Sequence, residues 1–127
     1  MPAPKPFPLP PCSKPLGRHV HLDLYECTAG LLVTPTDSEH ILNEAARRMN
    51  ATILGSHFHA FNPHGVSGVV VIAESHLTIH TWPEHAYAAV DIFSCGALDL
   101  EAGIAHLVEA LGAKRKELAA FDRGFVG

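Results

Sequence analysis

The sequence predicts an α+β fold, a two-layer α/β sandwich in which two helices pack on one face of an antiparallel β-sheet. Several segments alternate apolar side chains with polar or aromatic ones, as strands with a single buried face do. Two further segments carry apolar residues at helical spacing. With 127 residues, the chain is long enough for one domain with its own core.

The first strand is expected over residues 17–25. Val20, Leu22 and Leu24 would face the core, and the residues between them would face the other way. The preceding segment, residues 1–16, holds seven of the ten prolines. We interpret it as a Pro-rich flexible leader and residues 17–127 as a single domain.

The two helices are indicated by their end signals. The pattern from Thr36 to Glu39 is typical of a capping box, which predicts a helix over 37–49. Asp99 is expected to cap a second helix over 100–111, which Gly112 ends. A last strand is predicted over 114–121.

Four more strands are predicted: one over 52–61, two over 66–82 on either side of a corner, and one over 87–95. The corner lies at residues 73–76 and contains no Gly, Asn or Pro, so we expect a strained turn. If Glu74 and Ser75 form its loop, Ala73 lies opposite His76. One face of this hairpin would then carry hydroxyls, an imidazole and an indole beside two valines, namely Ser67, Val69, Val71, Thr78, His80 and Trp82.

Composition argues against several classes of protein. The net charge of −4 gives no reason to expect a nucleic acid or an anionic membrane as partner, and no apolar run is long enough to span a bilayer. The three cysteines, Cys12, Cys27 and Cys95, form neither a disulfide framework nor a zinc spacing, which fits a reducing cytoplasm.

His57 and His59, like His19 and His21, alternate along a strand, a pattern that metal sites also show. No acidic third ligand has a matching spacing, so we predict no metal. A hydrolase using Ser67 or Ser75 with Asp91 is weakly indicated, because the chain has no G-x-S-x-G elbow.

The corner itself suggests a different chemistry. A serine in a strained turn can attack the preceding carbonyl, here that of Glu74, and form an ester by N→O acyl shift. Removal of the Ser75 α-proton and β-elimination then give dehydroalanine, which hydrolyses to a pyruvoyl group. Such a group forms a Schiff base with a substrate amine and withdraws electrons, as pyridoxal phosphate does.

The segment GVSGVVVIAESHLTIHTWPEHAYAAVDIFSCG closely resembles the signature of the prokaryotic S-adenosylmethionine decarboxylase proenzymes. Upstream, the resemblance continues through Phe58-His59-x-Phe61-x-Pro63-x-Gly65 and through Leu16-Gly17-Arg18-His19. It covers roughly residues 16–112 in matching order.

The resemblance implies cleavage between Glu74 and Ser75, giving a β chain of residues 1–74 and an α chain of residues 75–127 that begins with the pyruvoyl group. His80 would be the proton acceptor during processing, assisted by Ser67. Cys95 would donate a proton to the decarboxylated substrate.

The resemblance also implies a substrate pocket and a partner. Glu84 is similar to the carboxylate that binds the ribose hydroxyls, Phe61 to the aromatic that stacks on adenine, and Trp82 is expected to help wall that pocket. Members of this family are homodimers of αβ units with active sites at or near the interface. Their product donates aminopropyl groups for spermidine synthesis.

Two alternatives stay open at this point. Pyruvoyl-dependent decarboxylases of ornithine or arginine share the processing residues, and Asp23 and Asp91 could serve a cationic substrate. A protein of another class, an unprocessed and non-catalytic regulatory paralogue, would also carry most of these residues.

Overall fold

The computed structural model describes residues 14–126. Its six strands form one sheet in the order β2-β3-β4-β5-β1-β6, and every neighbouring pair is antiparallel. The strands are β1 (Lys14–Tyr25), β2 (Ile53–Ala60), β3 (Val66–Ile72), β4 (Ser75–Trp82), β5 (Tyr87–Ser94) and β6 (Arg115–Val126). β1 begins three residues before the predicted start, and the first thirteen residues of the expected leader lie outside the described chain.

Helices α1 (Pro35–Arg48) and α2 (Leu100–Leu111) cover one face of the sheet, and short 3-10 turns occupy Ala29–Leu32 and Pro83–His85. The predicted caps of α2 are confirmed: Asp99 accepts a hydrogen bond from the Ala102 amide, and Gly112 ends the helix with φ +66°. The predicted cap of α1 is wrong. Thr34, not Thr36, caps that helix, because Pro35 fits the first helical position and Thr34 lies just before it.

The core lies between the helices and one face of the sheet. Leu22, Leu77 and Ile92 are among its fully buried side chains, on three neighbouring strands. α1 and α2 close over them with apolar residues such as Leu42 and Leu107. The predicted two-layer sandwich is therefore confirmed. The sheet face that points away from the helices is called the open face below.

The predicted hairpin register is wrong by two residues. Ser75 pairs with Ile72, so the loop consists of Ala73 and Glu74 rather than Glu74 and Ser75. A shift of two leaves every side chain on its predicted face, since strand side chains alternate with period two. It changes the partners, however, and places Ser67 directly opposite His80 rather than opposite Trp82.

Two strands differ from the prediction in detail. A register shift between Ile53 and Gly55 interrupts β2, and Leu54 between them is 66% exposed. β6 is longer than expected and runs beside β1 to Val126. Every residue of β6 is exposed, and this edge strand has a neighbour, β1, on one side alone.

Candidate active site

The turn between β3 and β4 is strained and held in place. Ser75 has φ +144°, a backbone region that residues with a side chain rarely adopt. The Glu74 carbonyl oxygen accepts a hydrogen bond of 2.8 Å from the Cys95 amide. This carbonyl belongs to the peptide bond between Glu74 and Ser75. The sequence-based expectation of a strained corner at this point therefore agrees with the backbone.

A second group of residues lies on the open face at the other end of β4. The Ser67 hydroxyl is 2.6 Å from Nδ1 of His80, across the β3–β4 pair. Beside them is an open pocket of about 360 Å³, which is lined by Phe61, Trp82 and Glu84 among others. The structure thus brings five predicted site residues into one neighbourhood.

The pocket residues follow a strand end that is anchored from below. The Thr81 hydroxyl is buried, donates to the Leu32 carbonyl (2.7 Å) and accepts from the Val66 amide (2.9 Å). Trp82 therefore projects onto the open face, where it is 42% exposed. The following 3-10 turn carries Glu84 back over the pocket.

His64 is a pocket residue that the sequence reasoning did not single out. Its Nε2 lies 3.0 Å from a carboxylate oxygen of Glu84, and both side chains are partly exposed. His64 occupies a variable position of the stretch Phe61-x-Pro63-x-Gly65, so the motif carried no signal for it. The contact orients the only carboxylate among the described residues that line this pocket.

The predicted site residues consequently form two separate groups. We call Glu74, Ser75 and Cys95 the turn cluster, and Ser67, His80, Phe61, Trp82 and Glu84 the pocket cluster. Ser75 and His80 are five residues apart on the extended strand β4, which corresponds to roughly 16 Å between their Cα atoms. Neither imidazole nitrogen of His80 can reach the Ser75 α-proton of the same chain across that distance.

Comparison with known proteins now decides the family. The family model described as S-adenosylmethionine decarboxylase matches residues 18–124. The chain belongs to the S-adenosylmethionine decarboxylase family. The match includes both clusters and extends beyond residue 112, where the resemblance seen in the sequence ended.

Curated members of the family are similar over most of their length. The S-adenosylmethionine decarboxylase proenzyme of Thermotoga petrophila is 50% identical over 112 residues, which are 87% of this chain and 86% of that protein. The proenzyme of Pseudomonas aeruginosa is 49% identical over 113 residues, 88% of this chain and 71% of that one. The crystal structure of the adenosylmethionine decarboxylase from Aquifex aeolicus superposes with a TM-score of 0.82 at 38% identity, covering 90% of this chain and 95% of that one.

One three-residue group in the described part of the chain has ligand atoms close enough for a metal ion: those of His19, His21 and Asp91 lie within 4.8 Å of one another. Asp91 is the acidic residue that sequence spacing did not reveal, because it joins the histidines across the β1–β5 pair. The Arg123 guanidinium, however, donates to Nδ1 of His19 (3.1 Å). Nε2 of His19 must then carry the proton and has no lone pair for a metal, so this arrangement disfavours one.

The two aspartates that left a cationic substrate open are engaged outside the pocket. Asp23 accepts a hydrogen bond of 2.6 Å from the Tyr87 hydroxyl, and Asp91 accepts one from Thr78. Burial, followed by the hydrogen bond to Asp23, raises the pKa of Tyr87, so this phenol stays protonated. Neither aspartate lines the pocket beside Ser67 and His80.

Within residues 14–126, no helix combines the length and the apolar character that crossing a membrane requires.

Proposed function

We propose that this chain is a proenzyme that cuts itself between Glu74 and Ser75, converts Ser75 into a pyruvoyl group and then decarboxylates S-adenosylmethionine. The observation that carries the proposal is the strained Ser75, at φ +144°, next to a carbonyl already hydrogen-bonded by the Cys95 amide. Membership of the family and the name of its curated members, which are proenzymes, support it.

The turn cluster fits the first step of such a cut. The Ser75 hydroxyl loses its proton and attacks the Glu74 carbonyl carbon, and the oxyanion that forms lies at the end of the Cys95 N–H bond. The C–N bond then breaks, the nitrogen takes up a proton and Glu74 is held to Ser75 as an ester. Removal of the Ser75 α-proton expels the Glu74 carboxylate, and water releases ammonia from the dehydroalanine.

The base for these proton transfers comes, in this proposal, from a second copy of the chain. His80 and Ser67 are hydrogen-bonded to each other but lie roughly 16 Å from the turn of their own chain. A two-fold dimer that packs open face to open face can place the pocket cluster of one copy on the turn cluster of the other. The active enzyme is then a homodimer of αβ units with two sites, each built from both copies.

The composition of the open face favours burial against such a partner. Phe121, Trp82 and Phe61 are 44, 42 and 51% exposed, and Val71 is exposed as well. Aromatic rings continue across the centre of the face, where His19 stacks on Phe93 at 5.5 Å. Exposed aromatic surface of this extent is typical of a protein–protein interface rather than of a free sheet.

In the decarboxylation step, the pyruvoyl group supplies an electron sink for the electron pair that stays on the substrate when carbon dioxide leaves. Cys95 is exposed at the end of β5, adjacent to the turn, and acts as the proton donor to the substrate. Phe61 stacks on the adenine, Glu84 accepts hydrogen bonds from the ribose hydroxyls and Trp82 walls the pocket.

This pocket suits an adenosyl group better than a basic amino acid. It offers two aromatic surfaces and the Glu84 carboxylate, which His64 already contacts. A guanidinium or ammonium group would need further carboxylates, and Asp23 and Asp91 are engaged elsewhere. Neither the amino-acid decarboxylases nor a non-catalytic paralogue is favoured by the family match.

We also infer the setting in which the enzyme works. Residues 17–127 form the catalytic unit behind the Pro-rich leader, and the product supplies aminopropyl groups for spermidine. We place the enzyme in the cytoplasm because its three cysteines have the pattern of a chain kept in a reducing compartment. The buried thiol of Cys27 is free, which suits a reducing compartment.

The proposal is tested on one purified preparation. We expect mass spectrometry to show the 13.6 kDa chain converted to fragments 1–74 and 75–127, with a carbonyl reagent such as phenylhydrazine attached to the second. Carbon dioxide release from labelled S-adenosylmethionine should greatly exceed that from ornithine or arginine. A chain that stays whole after prolonged incubation, or that releases carbon dioxide mainly from ornithine or arginine, would contradict the proposal.

A further inference from the structure

The Glu74 side chain is held by a residue that lies 22 positions earlier. Its carboxylate accepts a hydrogen bond from the Thr52 amide (3.0 Å) and a second one from the Thr52 hydroxyl (3.3 Å). The Thr52 carbonyl, in turn, accepts from the Ala73 amide at 2.8 Å. Three hydrogen bonds therefore tie the two-residue turn to the residue that precedes β2.

The opposite side of Glu74 is confined by Gly96. A Cβ atom at position 96 would lie 2.9 Å from Cγ of Glu74, which is closer than non-bonded carbon atoms approach each other. The neighbouring Cys95 amide holds the Glu74 carbonyl oxygen. Glu74 is thus restrained from two sides. Thr52, just before β2, holds its carboxylate, while Cys95 and Gly96, just after β5, hold its carbonyl oxygen and limit the space beside its side chain.

This restraint matters for self-cleavage because the acyl shift depends on the position of the Glu74 carbonyl group. The Ser75 oxygen must approach the Glu74 carbonyl carbon while the carbonyl oxygen stays on the Cys95 amide. A free glutamate side chain would let the exposed turn change its backbone angles. Hydrogen bonds to a carboxylate are strong ones, and two of them restrict that motion.

We propose that Thr52 is a positioning residue for self-cleavage, which acts by fixing Glu74 so that the scissile carbonyl stays on the Cys95 amide. The inference rests on the proposed function, since it concerns the same cut. Thr52 does not touch the reacting atoms: its three hydrogen bonds go to the Glu74 carboxylate and the Ala73 amide.

Thr52→Val is the first test. It removes the hydroxyl donor and keeps the β-branched shape and the backbone amide. We expect conversion of the whole chain to two fragments to slow by about tenfold, equivalent to about 1.4 kcal/mol in the barrier. Thr52→Ser, which restores a hydroxyl, should return the rate to within about twofold of the parent. Ser56→Ala is the matched control: Ser56 also donates a hydroxyl hydrogen bond to a glutamate, Glu39, at 2.9 Å, but far from the turn.

Two further measurements separate positioning from a general loss of stability. In a Ser75→Ala background, where no cut occurs, Thr52→Val should lower the thermal midpoint no more than Ser56→Ala does, because each change removes one exposed hydroxyl–carboxylate hydrogen bond. In the processing-competent chain, Glu74→Ala should slow maturation, and adding Thr52→Val to it should slow it no further, because the first change already removes the carboxylate that the Thr52 hydroxyl contacts.

The inference is overturned if Thr52→Val matures at the parental rate, if Ser56→Ala slows maturation equally, or if the two slowing effects multiply in the double variant. Any of these results leaves the proposed function intact so long as the parent chain still cuts itself. A parent chain that never cuts removes the proposed function instead.

Discussion

The separation of the two clusters predicts that one inactive chain can rescue another. A Ser75→Ala chain cannot be cut, and a His80→Ala chain lacks the base. If the base acts within one chain, a mixture of the two stays whole. If it acts between copies, a mixed dimer contains one complete site, made of Ser75 from the His80→Ala chain and His80 from the Ser75→Ala chain.

The geometry gives the expected yield. Roughly 16 Å separate Ser75 from His80 along β4, against the roughly 3 Å that a proton transfer requires. We therefore expect no cutting within a chain. With equal amounts and random pairing, about half of all dimers are mixed, and in each of these the single intact Ser75 lies opposite an intact His80. About half of the His80→Ala chains should be cut.

The assay is co-expression of the two variants, with an affinity tag on the His80→Ala chain as its label, followed by intact-mass measurement. Only labelled chains should appear as fragments. In the control, the His80→Ala chain is paired with a chain that carries both Ser75→Ala and His80→Ala, and everything should stay whole. Uncut labelled chains in the first mixture, despite mixed dimers in the preparation, would refute the assignment of the base to the second copy.

Three other predictions concern single residues. Native chains treated with iodoacetamide should be modified at Cys95 well before Cys27, because Cys95 is exposed whereas burial raises the pKa of Cys27; peptide mapping would show the order, and equal labelling would contradict it. Gly103→Ala places a Cβ 2.6 Å from Sδ of Met49, and the overpacking of about 1–3 kcal/mol should exceed the ~1 kcal/mol gain in helix propensity, so the melting temperature should fall rather than rise. Burial lowers the pKa of His106 below its ordinary value, so the unfolded state binds more protons than the folded state as the pH falls through about 6.5. The free energy of unfolding measured with urea should therefore decrease from pH 7 to pH 5. In His106→Gln this decrease should be less steep.

The faces of the sheet could be predicted from sequence because strand alternation does not depend on the exact pairing. A register that is wrong by two residues still places Ser67 and His80 on the same face, as the structure does. The pairing itself could not be predicted, because a corner without Gly, Asn or Pro gives no signal for the length of its loop.

Contacts between distant segments escaped the sequence reasoning for a different reason. Thr52 meets Glu74, and Asp91 meets His21, only because the strands lie side by side in the sheet. The capping-box spacing between Thr36 and Glu39 predicts the cap at Thr36, whereas Pro35 at the first helical position places it at Thr34. The residue types of each cluster could be recognised from sequence. The distance between the two clusters could be calculated only once β4 was known to be one extended strand from Ser75 to Trp82.

The order of strands in the sheet has a consequence for what a cut between Glu74 and Ser75 leaves behind. The first fragment would own β1, β2 and β3, and the second β4, β5 and β6, yet β1 lies between β5 and β6. The strands of the two fragments are therefore interleaved in one sheet. Backbone hydrogen bonds between the fragments run along three strand pairs, β3–β4, β5–β1 and β1–β6. Neither fragment could form such a sheet alone, so the chain must fold before its backbone is cut. Separating the fragments after the cut would require unfolding the whole protein.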